Sequence, residues 1–428
     1  MARNGNSKGM KETKFKDTEL GKIPEEWDYG KFEDYLDKFS AGATPYRGIA
    51  SNFIGTIPWV SSGELNYNYI TDTREHISQD AQKSTHLTLH PKGTFLIAIT
   101  GLEAAGTRGR CAFIETPATT NQSCLAIYST EKMIVEYLFW FYQQWSDYLA
   151  FNFSQGSKQQ SFTAEIVKKL PIYAPSLSEQ QRIASALSDA DALVAELDAL
   201  IEKKRAIMAG TMQELLTGKR RLQGYNEKWK ESAIEDIGNL IRGVSFDSDS
   251  VSTSFFENSI PILRANNIVD GNLFLHDLIF VDKHFVKKHQ YHRENDILIC
   301  SANGSKRLVG KAALIKGDDN ISFGAFMTTL RCKNASMALY FSMFMRTDEY
   351  RKQINDLLCG SAINNLNSKQ LYTIKLKHPS DQAEQHAIAT ILSDMDAEIA
   401  ELEAKRDKYK EVRQGMMQQL LTGKIRLI

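Results

Sequence analysis

Apolar residues recur at alternating steps of four and three in two long segments of the chain. In the first segment they are Ile183, Leu187, Ala190, Val194, Leu197 and Ile201, and in the second they are Ile388, Leu392, Met395, Ile399 and Leu402. This heptad-like spacing is typical of long helices that pack along each other. Ordinary long helices inside a globular core are the alternative, but the seam and its repetition favour two helices that pair with each other.

The two segments are copies of each other. Residues 177–222 align without a gap with residues 382–427, so that Glu179 pairs with Glu384 and Leu222 with Leu427. About half of the aligned positions are identical. Self-similarity at a fixed offset indicates a repeated structural unit, and the chain therefore contains a duplication.

Both copies carry signals for where a helix begins and ends. Ser178 with Gln181 three residues later resembles a capping box, and Asp381 is placed to begin the second copy. Gly218 and Gly423 follow the last apolar pairs and suit the left-handed backbone that ends a helix. Each helix is expected to span about 40 residues, or roughly 60 Å.

The segment before each long helix has a different pattern. Short apolar runs alternate with turn residues in IPWV (57–60), TFLIAIT (94–100), DILICS (296–301) and KAALI (311–315), which predicts strands. A shorter helix is expected in each segment, around residues 134–148 and 338–358. Trp27 is followed six residues later by Glu33-Asp34, and Trp229 by Glu235-Asp236, so the two segments share a layout.

These patterns predict an α+β fold with four segments. Two globular domains of mixed strands and helices, at residues 1–174 and 223–378, alternate with long helices at 175–222 and 379–428. The two helices are expected to run antiparallel, in coiled-coil fashion, and to join the globular domains in a pseudo-two-fold arrangement.

Composition excludes several classes of protein. The 428 residues are 42% hydrophobic and 24% charged, as in an ordinary globular chain. Lys plus Arg and Asp plus Glu are both 52, so nucleic-acid binding would depend on local basic patches or on partner subunits. The most apolar stretch, residues 133–145, is too short to span a membrane and reads as a core helix.

The cysteines and the N-terminal residues bear on the compartment. Cys111, Cys124, Cys300, Cys332 and Cys359 are odd in number and lack C-x-x-C spacing, so neither a disulfide framework nor a four-cysteine zinc site is expected. The polar N-terminal sequence does not have the apolar stretch of a signal peptide. A reducing cytoplasm fits these features best.

The search for catalytic motifs favours a protein without chemistry of its own. The segment GSKRLVGKA (304–312) has one residue too many between its glycines for a phosphate-binding loop, and Ala312 stands where a hydroxyl would bind magnesium. Neither Asn-Pro-Pro-Tyr nor Asp-Pro-Pro-Tyr, expected of an adenine methyltransferase, is present. His284, His289 and His292 lie close together in sequence, but a solvated basic helix that contacts phosphates is favoured there over a metal site.

The motifs that are present resemble one family over nearly the whole chain. They are E-Q-x-x-I-A at Glu179 and Glu384, L-L-T-G-K-x-R-L at Leu215 and Leu420, P-x-x-W from Pro24, and IPILRANNIVDG at residues 260–271. Together with the order domain, helix, domain, helix, they resemble the specificity subunits of Type I restriction–modification enzymes.

The resemblance implies a DNA-reading scaffold. Each globular domain would be a target-recognition domain that reads one half of a bipartite double-stranded DNA site. The long helices would separate the domains and dock two methyltransferase subunits, which in turn recruit restriction and motor subunits. S-adenosylmethionine, ATP and magnesium would bind those partners, so no cofactor or metal is expected on this chain. A coiled-coil adaptor that binds protein or ligand is the alternative, and a stand-alone enzyme is disfavoured by the missing motifs.

Polar, glycine-rich loops supply the candidate DNA contacts, because Arg, Lys, Asn, Gln and Ser read base edges and bind phosphates. The GSKQQ and GSAINN loops occupy the same place before each long helix. The candidates in the first domain are Tyr46, Arg47, Ser62, Thr107, Arg108, Arg110, Lys158 and Gln159. Those in the second domain are Arg264, Asn266, Asn267, Asn303, Lys306, Arg307, Asn364 and Asn365.

Overall fold

The computed structural model describes residues 13–156, 158–317, 320–359 and 364–428. The chain divides into two compact units. Unit 1 runs through Leu197 and takes up the chain again at 405–428, and unit 2 comprises Asp198–Ala404. Each unit therefore contains one globular domain and a part of each long helix, a division that the four predicted segments do not have.

The first stretch of unit 1, through Leu197, begins with strands and ends on the first long helix, and the end of the second long helix completes the unit. Its strands are β1 (Phe15–Thr18), β2 (Gly21–Pro24), β3 (Asp28–Lys31), β4 (Leu36–Ala41), β5 (Ile57–Val60), β6 (Asn68–Ile70), β7 (His76–Ile77), β8 (Phe95–Ala98), β9 (Cys111–Ile114), β10 (Thr119–Thr120), β11 (Cys124–Ser129) and β12 (Pro171–Ala174). Its helices are α1 (Phe32–Tyr35), α2 (Gln79–Ser84), α3 (Val135–Phe153), α4 (Ala164–Lys168) and the first part of α5 (Leu177–Leu216).

Two sheets form the framework of unit 1. A five-stranded sheet has the order β4-β11-β8-β9-β6, and a three-stranded sheet has the order β10-β5-β7. The central strands β8 and β9 are fully buried, so their runs are continuously apolar rather than alternating. Helix α3 buries most of its aromatic side chains in the same core, among them Phe139, Trp140 and Phe141, which confirms that residues 133–145 form a core helix.

Unit 2 repeats this framework. Its strands are β13 (Trp229–Ala233), β14 (Gly238–Arg242), β15 (Ser259–Leu263), β16 (Ile268–Val269), β17 (Asn272–Leu273), β18 (Ile279–Asp282), β19 (Asp296–Cys300), β20 (Ala312–Leu314), β21 (Ser322–Phe323), β22 (Met327–Cys332) and β23 (Lys375–Pro379). Its helices are the last part of α5, α6 (Ile234–Ile237), α7 (Ala335–Phe344), α8 (Asp348–Leu357), α9 (Ser368–Tyr372) and most of α10 (Gln382–Leu420).

The sheets of unit 2 correspond to those of unit 1. A four-stranded sheet has the order β14-β22-β19-β20, and a three-stranded sheet has the order β18-β15-β21. In both units the three-stranded sheet contains one parallel pair, β10 with β5 and β21 with β15. One helix expected over residues 338–358 is in fact two, because the chain turns after α7 and Thr347 caps α8 by accepting a hydrogen bond from the amide of Tyr350.

Within each unit the two long helices run side by side in opposite directions. In unit 1 the start of α5 packs on the end of α10, where Ile183 and Leu187 share a core with Leu420 and Leu421. Arg182 there donates to the carbonyl of Leu427. In unit 2 the order is exchanged. The end of α5 packs on the start of α10, with Lys204 paired to Glu398 and Arg221 to Glu384. The predicted α+β fold with two long antiparallel helices is confirmed.

The helix ends follow the sequence signals with one correction. Gly218 and Gly423 have φ of 72° and 67°, the left-handed backbone expected just beyond each helix. Helix α5 begins one residue before the predicted Ser178, and Ser176 caps it by accepting the amide hydrogen of Glu179 at 3.3 Å. Asp381 precedes α10 as expected and accepts from the amide of Ala383 at 2.8 Å.

Candidate nucleic-acid interface

In each unit the loop after the central strand is hydrogen-bonded to the segment that joins α3 to α4 or α8 to α9. This segment, residues 154–163 in unit 1 and 358–367 in unit 2, is called the strap. In unit 1 the loop after β8 bridges the strap at Thr100 and Ser161, and the amide of Phe162 donates to the carbonyl of Ile99 at 2.8 Å. In unit 2 the loop after β19 bridges the strap at Ala302 and Asn365. The amide of Leu366 completes the match by donating to the carbonyl of Ser301, also at 2.8 Å.

A short turn joins this cluster in both units. It connects β10 to β11 in unit 1 and β21 to β22 in unit 2. The amide of Ile99 donates to the carbonyl of Ser123 at 3.0 Å, and the amide of Ser301 donates to the carbonyl of Phe326 at 3.0 Å. Three loops therefore meet at the same end of the sheet in each unit.

A glycine brings a fourth segment against that turn. The amide of Gly42 donates to the carbonyl of Cys124 in unit 1, and the amide of Gly243 donates to the carbonyl of Met327 in unit 2. A Cβ at Gly42 would lie 1.9 Å from the carbonyl oxygen of Thr120, and one at Gly243 would lie 1.9 Å from that of Gly324. Only glycine permits this approach, so the segment after β4 or β14 is fixed beside the turn.

The loops after β5 and β15 also correspond, and they correct one predicted contact. The amide of Ser61 donates to the carboxylate of Glu64 at 2.9 Å, and the amide of Arg264 donates to the side-chain oxygen of Asn267 at 2.9 Å. Asn267 is fully buried, and its amide nitrogen donates to the carbonyls of Phe274 and His276. Because all of its polar atoms hold the loop, the expectation that Asn267 contacts DNA is wrong.

The other candidates on these two loops are at the surface. Ser62 lies, partly exposed, in the turn that Ser61 and Glu64 close, and Asn266 is exposed beside Asn267. Arg264 is exposed, and its guanidinium donates to the carbonyl of Asp277 at 2.7 Å.

Arg47 and Tyr46 lie on the segment after β4, and their side chains differ in the contacts they make. Arg47 forms two hydrogen bonds with the carboxylate of Glu75, at 2.9 and 2.8 Å, and its guanidinium lies 4.5 Å from the ring centroid of Phe53. The adjacent Tyr46 is 75% exposed. The arginine is therefore fixed in place, whereas the tyrosine ring faces solvent.

The arginines of the loop after β8 are also unlike each other. Arg108 donates to Asp147 at 2.6 Å, lies 4.3 Å from the ring centroid of Phe151, and keeps only 13% of its side chain exposed. Arg110 instead lines an open cleft of about 570 Å³ with Asn66 and Arg74. Thr107, which precedes Arg108 in the chain, is partly exposed.

In unit 2 the corresponding loop presents two exposed cations. Lys306 and Arg307 are both exposed on a single 3₁₀ turn. Two asparagine side chains hold the loop around them. Asn303 accepts a hydrogen bond from the amide of Ser305 at 2.9 Å, and Asn364 of the strap donates to the carbonyl of Gly304 at 3.0 Å. The structure thus brings Asn303, Asn364 and Asn365 together next to these two cations.

Parts of the two straps lie outside the described residues. Lys158 and Gln159 are exposed, while Ser157 between Gly156 and Lys158 is not described. Of the GSAINN loop, residues 360–363 lie outside the described ranges. The candidates Asn364 and Asn365 are inside them.

Two sequence features with other possible chemistry have structural roles. The loop at residues 304–312 leads into strand β20 and not into a helix, and the amine of Lys311 donates to the carbonyl of Ile268 at 3.4 Å. A phosphate-binding loop would need a helix at that point. Among the histidines, His284 is bonded to Asp282 at 2.7 Å and His292 is buried against Phe323. Within the described ranges no three His, Cys, Asp or Glu side chains are grouped to hold a metal ion.

The sequence matches the family described as "Type I restriction modification DNA specificity domain" twice, over residues 24–204 and 226–411. These two matches cover most of the chain, one in each half. The chain belongs to the Type I restriction–modification DNA specificity family. This membership confirms the predicted resemblance to the specificity subunits of Type I restriction–modification enzymes.

Named specificity subunits resemble this one to different extents. The StySPI specificity subunit of Salmonella potsdam is 34% identical over 46% of this chain and 43% of its own length. The MjaIX specificity subunit of Methanocaldococcus jannaschii is 30% identical over 61% of this chain and 62% of its own length. Both matches thus span less than two thirds of the relative. The MjaVIII subunit of the same organism is 22% identical over 97% of both chains.

Solved specificity subunits share the fold. The S subunit of a Type I restriction–modification system from M. genitalium superposes with a TM-score of 0.59 at 15% identity, over 92% of this chain and 96% of that one. A chain from a structure of the type I restriction–modification system gives a TM-score of 0.56 at 16% identity.

Among the described residues of this chain, no helix has the length and apolar character needed to cross a membrane.

Proposed function

We propose that this specificity subunit reads a bipartite double-stranded DNA site, with the domain at 1–174 reading one half-site and the domain at 223–378 the other. The observation that carries this proposal is the repeated loop cluster. In each unit the loop after the central strand, the strap, the turn and the glycine-anchored segment meet at the same end of the sheet. Two equivalent reading surfaces in one chain suit two half-sites, as two subunits do in dimeric DNA-binding proteins.

The charge of these surfaces supports a division of labour with partner subunits. The chain has equal numbers of basic and acidic residues. In the described part of the clusters the accessible cations are few, chiefly Arg110, Lys158, Lys306 and Arg307. Phosphate contacts supply most of the non-specific affinity for DNA. We therefore infer that partner subunits provide much of the phosphate contact and that this chain supplies base contacts.

The long helices at 175–222 and 379–428 are the proposed docking elements. Two methyltransferase subunits bind along them, and restriction subunits join through the methyltransferases. S-adenosylmethionine, ATP and magnesium belong to those partners in this proposal, and the complex works in the cytoplasm. Free thiols at all five cysteines agree with a reducing compartment.

Sequencing of methylated adenines in cells with and without the gene tests the proposal. We expect a two-part motif with a fixed gap that disappears when the gene is deleted. Replacing residues 23–170 with the matching segment of a relative should then change one half of the motif and leave the other. A methylation pattern that does not depend on the gene would support a protein-binding adaptor instead, and a change in both halves would refute independent reading.

A further inference from the structure

The turn between the parallel strand and the next strand is held alike in both units. In unit 2 the carbonyl of Phe326 accepts hydrogen bonds from the amides of Ser301 and Ala302, at 3.0 and 3.1 Å, and from the hydroxyl of Ser301 at 3.0 Å. In unit 1 the equivalent carbonyl, that of Ser123, accepts from the amide of Ile99. The backbone at this position is therefore a fixed point within each loop cluster.

The side chains on this shared backbone differ between the units. Unit 1 has Asn121-Gln122-Ser123 where unit 2 has Gly324-Ala325-Phe326. Ser123 is partly buried, whereas Phe326 is 72% exposed. A turn whose backbone is held alike in both units but whose side chains differ is the arrangement expected of an element that distinguishes one DNA sequence from another.

The surroundings of Phe326 indicate the kind of ligand. Its backbone partners lead directly into Asn303, Lys306 and Arg307, so an accessible phenyl ring lies on a loop cluster that is otherwise polar and cationic. A polyanion with apolar groups in its groove fits such a surface better than an apolar protein face does. In the DNA major groove the apolar group available is the C5 methyl of thymine, which phenylalanine contacts in other readers.

We propose that Phe326 is a specificity-determining residue that contacts a thymine methyl group in the half-site read by unit 2. This inference rests on the proposed function and deepens it. The ring is positioned by a carbonyl with three hydrogen bonds, so it is presented without a change in the fold. Unit 1 has no phenyl ring at the equivalent position, and its half-site is not expected to be read in this way.

The test removes the methyl group from the DNA and the phenyl ring from the protein in turn. The chain is assembled with its cognate methyltransferase subunits, and binding to a duplex of its own methylated motif is measured by titration. Each thymine of the unit 2 half-site is then replaced singly by uracil, which lacks only the C5 methyl. We expect one replacement to weaken binding about fourfold, the effect of one buried methyl group. In Phe326→Ala the same replacement should have no effect.

Phe255→Ala provides a matched control. Phe255 is also 72% exposed and in unit 2, but it precedes β15 and thus lies at the opposite end of that strand from the turn. This variant should keep the fourfold response to uracil. Because both rings are exposed, neither substitution is expected to unfold the unit, and equal thermal unfolding of the three proteins verifies this.

The outcomes separate the two proposals. A wild-type complex with no preference for any bipartite duplex would refute the proposed function itself. A wild-type complex that prefers its motif but responds to no thymine-to-uracil replacement in the unit 2 half-site would refute only the role of Phe326. A response that persists unchanged in Phe326→Ala would refute it equally.

Discussion

Arg426 donates two hydrogen bonds to the carboxylate of Glu179, at 2.7 and 2.8 Å, although 247 residues separate them in the chain. Arg221 and Glu384 repeat the relationship in unit 2, with both distances at 2.7 Å. The arginine is that of L-L-T-G-K-x-R-L and the glutamate that of E-Q-x-x-I-A. In each unit the two repeated motifs therefore supply the two partners of a buried ion pair. Each pair joins the end of one long helix to the start of the other.

Removing this arginine should destabilise unit 1. Glu179 is almost fully buried and also accepts from the indole nitrogen of Trp27 at 3.1 Å. Arg426→Ala would leave the Glu179 carboxylate without a cationic partner, and an uncompensated buried charge costs about 3–5 kcal/mol. We expect the free energy of unfolding to fall by that amount in chemical denaturation.

Arg220→Ala is the control for this experiment. Arg220 pairs with Glu214 at the surface, where both side chains are exposed, and exposed pairs contribute about 0–1 kcal/mol. Arg221→Ala should act on unit 2 as Arg426→Ala acts on unit 1. Equal stabilities of Arg426→Ala and Arg220→Ala would show that the buried pair does not hold the unit together.

Features with a regular period could be predicted from the sequence. The heptad-like seam from Ile183 to Ile201 predicted the long helices, and the buried runs at 94–100 and 296–301 predicted β8 and β19. These predictions held because one face of a helix, or a whole central strand, must be apolar to be buried. The break between α7 and α8 was missed, although Thr347 followed by Asp348 and Glu349 is a helix-start signal.

Roles that depend on contacts between distant segments could not be predicted. Asn267 has the composition of a base reader, yet its place in the turn matches that of Glu64 and requires a buried hydrogen-bond acceptor. Arg108 and Arg307 look alike in sequence, but among the described residues only Arg108 meets a carboxylate, that of Asp147. Phe326 had no polar signature at all. Its exposure follows only from its place in the turn between β21, which pairs with β15, and β22, which pairs with β14 and β19.

Stability should fall as the pH falls from about 6.5 to 4, in part because of His292. Burial lowers the pKa of this imidazole to about 4, while nearby Asp296 raises it and Arg331 lowers it further. Between the two pKa values the unfolded chain binds a proton that the folded chain does not, so acid favours unfolding. The loss is about 3 kcal/mol in total, and it is complete below pH 4.

Substitution of His292 isolates its contribution to the pH dependence of the free energy of unfolding. In His292→Leu the free energy of unfolding should depend less steeply on pH over that window, measured by denaturant titration with Trp229 as the fluorescent reporter of unit 2. His289→Leu changes an exposed histidine three residues away and should leave the wild-type slope. An unchanged slope in His292→Leu would show that the buried ring does not titrate in this way.

Arg307 should contribute to DNA affinity without contributing to the fold. It is exposed on the 3₁₀ turn Lys306–Leu308, and no ion pair with the described residues holds it. We expect Arg307→Ala to weaken binding of the complex to its motif by about 1–3 kcal/mol if the guanidinium reads a base, and to relax the sequence preference at that position. Melting temperature should not change.

Lys377→Ala removes the same charge from β23, outside the loop cluster, where the side chain is exposed. Its affinity for the motif should equal that of the wild type. If Arg307→Ala weakens binding to all duplexes equally and reduces the salt dependence by about one charge, Arg307 contacts phosphate. Affinity equal to that of the wild type would remove it from the reading surface.

The length of the long helices is expected to set the gap between the half-sites. Helix α5 is continuous from Leu177 to Leu216, and Ala199 lies two residues beyond the point where unit 1 gives way to unit 2. Insertion of four residues there would lengthen the helix by about 6 Å. One base step is about 3.4 Å, so the gap in the methylated motif should grow by one to two base pairs while both half-site sequences stay the same.

The size of the insertion matters because of the seam. Four residues are close to one full turn and keep the apolar positions facing the partner helix, whereas two residues rotate the following seam by about 200°. The two-residue insertion should therefore impair folding, which circular dichroism and thermal unfolding would detect. A matching insertion after Ala404 in α10 lets both helices lengthen together and should restore stability to any four-residue variant that is strained. An unchanged gap in a folded, active complex would mean that the helices hold the domains without measuring the distance between them.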